Sequence, residues 1–224
     1  MSKISYRGYR FPPDIIQRAV WLYFRLTLSS ERGIEVSYQT IRQWATRFGP
    51  AIARDLRSLR PRPHGQWPLD EVFVSIGGKW MYPWRAVDAE GEVLDCLVQS
   101  RRDKRAAKKL MRKLLKKQGF APSHLVTDHL KSYPAAFQEM GLTAIHLRGK
   151  RMNNRAESSH VPIRRRERKM QGFKSAKSAQ RFLSAHGPIY DTFNTCRHLI
   201  SATNHRTFRR EAMTSWRQAA CVAA

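Results

Sequence analysis

The order of helical and extended segments predicts an α/β fold, in which a mixed five-stranded sheet with helices follows a small all-α domain. Three observations support this prediction. Apolar residues recur at helical spacing up to about residue 60, short apolar runs with strand character begin at Trp67, and helical segments return after Asn153. The chain has 224 residues, which is typical of one or two domains, and 42% of them are hydrophobic, which is enough for a core.

The first part of the chain predicts two main helices. Residues 14–26 follow Pro12-Pro13 and carry apolar side chains at helical spacing. Residues 37–48 predict a second helix with Ser37 as its N-cap, and Gly49-Pro50 is expected to end it before a further short helix. Its polar side chains are typical of a recognition helix that contacts base edges and phosphates, although an ordinary surface helix with arginines is the alternative: Tyr38, Gln39, Arg42, Gln43 and Arg47.

Changes in composition divide the chain into four predicted regions. Residues 1–60 form a helix-turn-helix-like domain, and the proline-rich residues 61–66 form a linker. Residues 67–202 form the α/β domain. Residues 203–224 are a basic, weakly patterned tail that is expected to fray.

Within the α/β domain, extended and helical segments alternate in a specific order. Residues 69–76, 78–87 and 91–100 predict an antiparallel meander of three strands. A basic helix capped by Asp103, a strand, a helix, a fifth strand and further helices follow, and Glu157 opens a long basic helix. This is the order of a ribonuclease-H-like α/β domain.

The charge of the chain favours a polyanionic partner. Lys and Arg number 42 against 17 for Asp and Glu, which gives a formal net charge of +25. Neutralising phosphates releases condensed counterions, so nucleic acid is the expected partner. An anionic membrane surface is disfavoured because the basic residues are spread over the whole chain. The sequence has no apolar run near ~18 residues and no apolar secretory signal, which predicts a cytoplasmic protein.

Three acidic residues, Asp70, Asp128 and Glu157, are the candidate catalytic and metal-binding residues. The first lies in a predicted strand, the second ends another, and the third lies on a helix. Phosphoryl transfer on DNA uses two divalent cations, which prefer carboxylate oxygens as ligands. Any chain of this size offers other carboxylate triples, but Glu71 follows Asp70 directly and is expected to face the other side of the strand. Asp95 is expected to be a buried, hydrogen-bonded carboxylate in an apolar strand.

Polar and basic side chains near these carboxylates are candidates for DNA contact. They could hold phosphates or orient the metal ligands, whereas the alternative is a solvated basic helix face. The candidates are Lys131, Asn154, Arg155, His160, Arg164, Arg165 and Arg166.

Several motifs together make the chain similar to a known family. They are WPLDEVFV, YPWRAVDAEGEVLDCLVQSRRD, VTDHLKSY, NNRAESSH, RRRERKMQGFKS and AQRFLSAHG, with YRFPPDII and ERGIEVSYQTIRQW ahead of them. The chain closely resembles the DDE transposases of the bacterial IS-six insertion-sequence family.

The resemblance implies both a fold and an activity. A ribonuclease-H-like core would follow a helix-turn-helix domain, with Asp70, Asp128 and Glu157 as the catalytic acids. It implies Mg²⁺-dependent nicking at the ends of the element, with Mn²⁺ able to substitute. Attack of the freed 3′-OH on target DNA and cointegrate formation would follow. The implied partners are double-stranded DNA, as terminal inverted repeats and target, and further copies of the chain in a homodimer or higher homo-oligomer.

Two departures from the family pattern keep alternatives open. Residues 26–30 run almost directly into Glu31, where the family has a further helix, and His129 follows Asp128 where the family typically has Lys. A non-catalytic, DNA-binding remnant with a defective helix-turn-helix is therefore the alternative function. A host nuclease or junction resolvase on the same fold is a third hypothesis.

Overall fold

The computed structural model describes residues 4–26, 36–149, 151–170, 172–194 and 200–220. The chain forms two compact units: Met1–Pro61 together with Ser184–Ala224, and Arg62–Leu183. The first division falls at the start of the predicted linker. The second differs from the predicted domain limits, since residues from Ser184 onward belong with the N-terminal helices rather than with the α/β region.

The first unit is helical, and its second helix is longer than the sequence predicts. Helix α1 spans Pro13–Leu26 and α2 spans Tyr38–Ser58. The predicted end at Gly49-Pro50 is wrong, because α2 continues through both residues. Its apolar face explains this: the buried side chains before Pro50 continue at the same spacing after it, and their burial outweighs the lost backbone hydrogen bond. Gly49 itself allows close approach, since a Cβ there would lie 2.8 Å from Cε2 of Phe24.

The predicted tail is also helical. Helix α8 spans Ala202–Ala220 and buries Ala212, Trp216, Ala219 and Ala220 at helical spacing. The Trp216 ring lies 6.1 Å from that of Phe193. The carbonyl of Ala220 accepts hydrogen bonds from the Tyr6 hydroxyl and the Gln17 amide, at 3.1 and 2.9 Å. The tail was expected to fray because its apolar residues are few, but those few share one face.

The second unit is built on a mixed sheet. The strands, in chain order, are β1 Gln66–Glu71, β2 Val74–Ile76, β3 Lys79–Val87, β4 Val93–Gln99, β5 His124–Thr127 and β6 Ile145–Arg148. One edge of β3 pairs with β4, and the other pairs with β2 and then β1, all antiparallel. β1 continues the sheet to β5 and β6 through parallel pairs. This order and these directions are those of a ribonuclease-H-like fold.

The first predicted strand is divided in two. Residues 69–76 were expected to form one strand, whereas β1 ends at Glu71 and β2 begins at Val74. The backbone nonetheless stays beside β3, because the amide of Val72 donates to the carbonyl of Pro83 at 3.2 Å. The predicted five strands therefore correspond to six segments of one sheet.

Helices cover the sheet and enclose its main core. Helix α3 spans Lys104–Gln118 and α4 spans Ser132–Glu139. Asp103 caps α3 as predicted, accepting from the Ala106 amide at 2.9 Å. The core between these helices and the strands includes Trp67, Leu69, Trp84, Leu110, Leu114, Leu125, Tyr133 and Phe137. None of the helices that the structure describes is long and apolar enough to cross a membrane.

The predicted basic helix after Glu157 is interrupted. A 3₁₀ turn at Arg151–Asn153 leads into α5, Asn154–Ser159, and α6 follows at Val161–Lys169. Pro162 has no amide to continue the ladder from α5, so the chain breaks at His160. Helix α7 then spans Ala176–Phe193. The break has a consequence at the site, because it turns the side chain of His160 toward the sheet.

Candidate active site

Asp70 and Asp128 come together because their strands are parallel neighbours. The register of β1 and β5 pairs Pro68 with Val126, and two further residues along each chain lead to Asp70 and Asp128. Both residues are partly exposed and lie at the C-terminal ends of their strands. Oδ1 of Asp128 accepts a hydrogen bond from the Leu130 amide at 2.9 Å, which fixes the turn after β5.

A third carboxylate, that of Glu71, joins them. One oxygen each of Asp70, Glu71 and Asp128 lie within 4.8 Å of one another. Neighbouring strand residues face opposite sides, so the sequence predicts that Glu71 points away from Asp70. Glu71 does have different contacts from Asp70. However, β1 ends at Glu71 and β5 ends at Thr127, so no strand lies between the three carboxylates.

Glu71 is held by two side chains that the sequence analysis did not identify. The Tyr133 hydroxyl donates to Oε2 of Glu71 at 2.7 Å, and Nε of Arg102 donates to Oε1. The Glu71 side chain is only 1% exposed. Burial raises the pKa of Glu71 to about 7, although the hydrogen bonds from Tyr133 and Arg102 act in the opposite direction.

Arg102 links the two sides of the cluster. Besides its bond to Glu71, its Nη2 lies 3.5 Å from Oδ2 of Asp128. The guanidinium thus offsets part of the negative charge of the carboxylates and restrains Asp128. Arg102 lies just before α3, far in sequence from both partners, so no local pattern could have identified it.

Asp70 has its own supporting side chains. Nε2 of His160 lies 3.3 Å from Oδ2 of Asp70. Burial lowers the pKa of His160, which favours a neutral imidazole at neutral pH. Arg85 on β3 is the cross-strand neighbour of Asp70 and is buried. The buried Asn153 donates from Nδ2 to the Leu69 carbonyl at 2.9 Å, which anchors the start of α5 beside Asp70.

Glu157, the predicted third acid, lies on α5 with an exposed side chain. It is not among the three carboxylates that cluster within the part of the chain that the structure describes. His160, three residues later, follows the end of α5, and the role of Glu157 as a metal ligand stays a prediction.

Most of the predicted DNA-contact residues are accessible. Exposed side chains include Tyr38, Gln39, Gln43, Arg47, Lys131, Asn154, Arg155, Arg164 and Arg165, and Arg42 is half-buried. Two predictions need correction. His160 is buried against Asp70, which argues against DNA contact and leaves the alternative expectation that it orients a metal ligand, and Arg166 is buried with its Cζ 5.7 Å from the Phe182 ring centroid. A basic run in sequence does not reveal which arginine faces inward.

The two departures from the family pattern have different outcomes. The shortened stretch before Glu31 lies outside the described residues. His129 is exposed, and its carbonyl accepts a hydrogen bond from Nη2 of Arg148 at 3.2 Å.

The donors in the cluster suit a hard divalent cation. Asp70, Glu71 and Asp128 offer oxygen atoms only, and Mg²⁺ takes oxygen ligands, commonly one or two carboxylates with water and phosphate. The residues present therefore fit a divalent metal.

Comparison with known proteins identifies the family. Residues 64–195 match the family model described as a DDE domain. The transposase for the insertion sequence-like element IS431mec of Staphylococcus aureus is 30% identical over 187 residues, which cover 77% of this chain and 83% of that protein. The chain belongs to the DDE transposases of the IS-six family. This transposase family is one of polynucleotidyl transferases, which agrees with a carboxylate cluster in a strongly basic chain.

Solved structures show weaker likeness to this transposase. The catalytic core domain of BIV integrase has a TM-score of 0.36 and 13% identity, covering 68% of this chain and 98% of that one. A chain of the simian T-cell lymphotropic virus intasome in complex with PP2A regulatory subunit B56 gamma has a TM-score of 0.42 and 13% identity. That match covers 62% of this chain and about half, 52%, of the other. The strand order described above carries the fold assignment.

Proposed function

We propose that this transposase nicks DNA at the ends of an insertion sequence and joins the freed 3′-OH to target DNA, in a cointegrate-type reaction. The observation that supports this most directly is the approach of Asp70 and Asp128 at the ends of two parallel strands in a chain of this family. Asp70, Asp128 and Glu157 would hold Mg²⁺ or Mn²⁺. The bound metal would activate the attacking oxygen and stabilise the leaving oxygen.

The other residues of the site would set its geometry. His160 contacts Asp70 and Asn153 anchors the start of α5 to β1, so that Glu157 on α5 would be held near β1. Arg102 restrains Asp128 through an ion pair and reduces carboxylate repulsion before metal and DNA arrive. Phosphoryl transfer requires metal ligands that are already held in position, because most of its catalysis comes from positioning and charge stabilisation.

Exposed cations would bind the DNA. Lys131, Arg155, Arg164 and Arg165 are exposed and would hold phosphates of the strand that is cut. The exposed face of α2 would read the terminal inverted repeats. Since two element ends must be joined in one complex, two or more copies of the chain would act together on double-stranded DNA in the cytoplasm.

The test is a nicking and strand-transfer assay on DNA that carries the element's ends, with Mg²⁺. Asp70→Asn is expected to lower product formation by about 10³-fold or more, because it removes a ligand charge with little change of shape. Glu90→Gln, which removes an exposed carboxylate in the turn between β3 and β4, is the matched control and should retain activity.

The opposite outcome would favour the second candidate function. DNA binding without metal-dependent product from the wild type would indicate a non-catalytic DNA-binding remnant. Product from Asp70→Asn at the wild-type rate would show that the carboxylate cluster is not the active site. Cleavage that depends on DNA structure and ignores the end sequence would indicate a nuclease of the same fold.

A further inference from the structure

Phe73 and Trp80 form an exposed aromatic pair. Their exposed fractions, 58% and 64%, are the highest of any large hydrophobic side chain in the part of the chain that the structure describes. The ring centroids are 5.5 Å apart with an interplanar angle of 76°, an edge-to-face contact. Single exposed apolar residues are common on proteins, but two large aromatic rings in contact and both mostly exposed form an apolar patch.

The pair borders the candidate active site. Phe73 lies three residues after Asp70, and three extended residues span at most about 10 Å. Cζ of Arg164 lies 5.7 Å from the Phe73 ring centroid. Arg164 is one helical turn after His160, and its amide donates to the His160 carbonyl at 3.0 Å. The aromatic pair is therefore linked to Asp70 in two ways: along the chain from Asp70 to Phe73, and through the start of α6, where Arg164 follows His160.

We propose that Phe73 and Trp80 are a stacking site for an unpaired nucleobase of the DNA strand that is cut. This inference rests on the proposed function, which requires that strand to cross Asp70 and Asp128. Because Asp70 and Phe73 are at most about 10 Å apart along the chain, the stacked base would lie within a few nucleotides of the cut phosphate. The pair would hold the strand end in place after its base separates from the duplex.

Charge favours a nucleotide over another protein as the occupant. Lys79 precedes Trp80 on β3, Arg164 contacts Phe73, and Arg165 follows Arg164 on α6; all three side chains are exposed. Phosphates next to a stacked base would contact these cations, while the rings contact the base itself. A second copy of the chain also has a formal net charge of +25, so these cations would repel it. Stacking is tolerant of sequence, because every base presents a π-face.

The experiment uses full-length protein and a forked DNA duplex with 2-aminopurine in its unpaired arm. The wild type should quench 2-aminopurine fluorescence on binding, and Trp80→Ala or Phe73→Ala should remove most of the quench. Affinity for the fork should fall about tenfold in each variant, in the range of one stacked base. Affinity for the fully paired duplex should be unchanged, which a general loss of charge or fold would not produce.

Two control variants make the comparison specific. Phe208→Ala removes an exposed aromatic ring from α8 and should leave both affinities unchanged. Trp80→Phe keeps an aromatic face and should retain most of the quench. Because the target side chains are exposed, all variants should unfold at the wild-type temperature.

Several results would overturn the stacking site. One is the absence of a fluorescence quench with the wild type. Another is a quench with both alanine variants that is as large as the quench with the wild type. A change in the sedimentation of DNA-free protein on substitution would identify the patch as a self-association surface instead. The nicking assay on the wild type and Asp70→Asn tests the proposed function separately, so the two failures are distinguishable.

Discussion

At the residue scale, Asp70 shows how a site is assembled from distant parts of the chain. Its neighbours are Asp128 at the end of β5, His160 at the break before α6, and Arg85 opposite it on β3. The sequence identified the two aspartates because Asp70 lies within an apolar run with strand character and Asp128 closes another apolar run. It could not identify Arg85 or Arg102, since arginines are abundant in this chain and only strand pairing or an ion pair distinguishes these two.

Which glutamate is the third metal ligand is testable with a matched pair of substitutions. Glu157→Gln should retain DNA binding and lose strand cleavage at every Mg²⁺ concentration, because a ligand charge is removed. Glu71→Gln should keep cleavage at saturating Mg²⁺, because Gln can still accept the hydrogen bond from Tyr133. It should raise the Mg²⁺ concentration needed for cleavage about tenfold, because Arg102 is then less restrained. Nicking rates measured across a Mg²⁺ titration separate the two roles.

Retained cleavage in Glu157→Gln together with complete loss in Glu71→Gln would reverse the assignment. Glu71 would then be the third ligand. The arrangement of Asp70, Glu71 and Asp128 within 4.8 Å would in that case be the metal site itself.

At the element scale, helix breaks and helix continuations follow from burial rather than from local propensity. Proline lies inside α2 and at the start of α6, with opposite results. In α2 the apolar face continues on both sides of Pro50. In the segment from Asn154 to Lys169 few side chains are buried, so little packing energy opposes the break.

The exposed face of α2 carries the predicted end recognition. Replacing Arg42 and Gln43 together with Ala should reduce the preference for element-end DNA over random DNA by about tenfold, since one bidentate base contact contributes about 1–3 kcal/mol. Binding to both DNAs, measured by competition at one salt concentration, checks this. Thr46→Ala removes a side chain whose hydroxyl bonds within the helix, and it is the control.

An unchanged ratio of the two affinities in the double variant would mean that another surface reads the ends. An equal loss of affinity for both DNAs would show that α2 contributes phosphate contacts without base recognition.

At the scale of the whole molecule, charge governs the encounter with DNA. The formal net charge of +25 predicts tight, salt-sensitive binding to any duplex. Replacing Arg164 and Arg165 with Ala should lower the slope of log affinity against log salt concentration by about two, if each contacts one phosphate. Affinities for random duplex over a salt series give the slope directly.

The control for this prediction is a cation that is already paired. Lys104 lies 2.9 Å from Glu139, so Lys104→Ala should leave the slope unchanged. A slope that does not change when both arginines are removed would place the phosphate contacts elsewhere on the molecule.

The fold could be predicted from the sequence to the level of strand order. Alternating apolar residues, turn glycines and capping residues act locally, so the meander, α3 and the later strands were identifiable from residue patterns. The same patterns placed Asp95 in an apolar strand, and the structure buries it between Lys113 and Lys117, with Nζ–carboxylate distances of 3.1 and 3.2 Å.

The sequence by itself determined the class of the molecule: an α/β chain with one acidic residue inside a predicted strand, another at the end of a strand, and a large positive charge. Only the tertiary structure decided that Glu71 joins the aspartates, that His160 and Arg166 turn inward, and that the C-terminal segment folds against the N-terminal helices. These outcomes depend on contacts between residues far apart in sequence. Such contacts form when whole elements bury their apolar faces, and no local pattern encodes which polar side chains are then brought together.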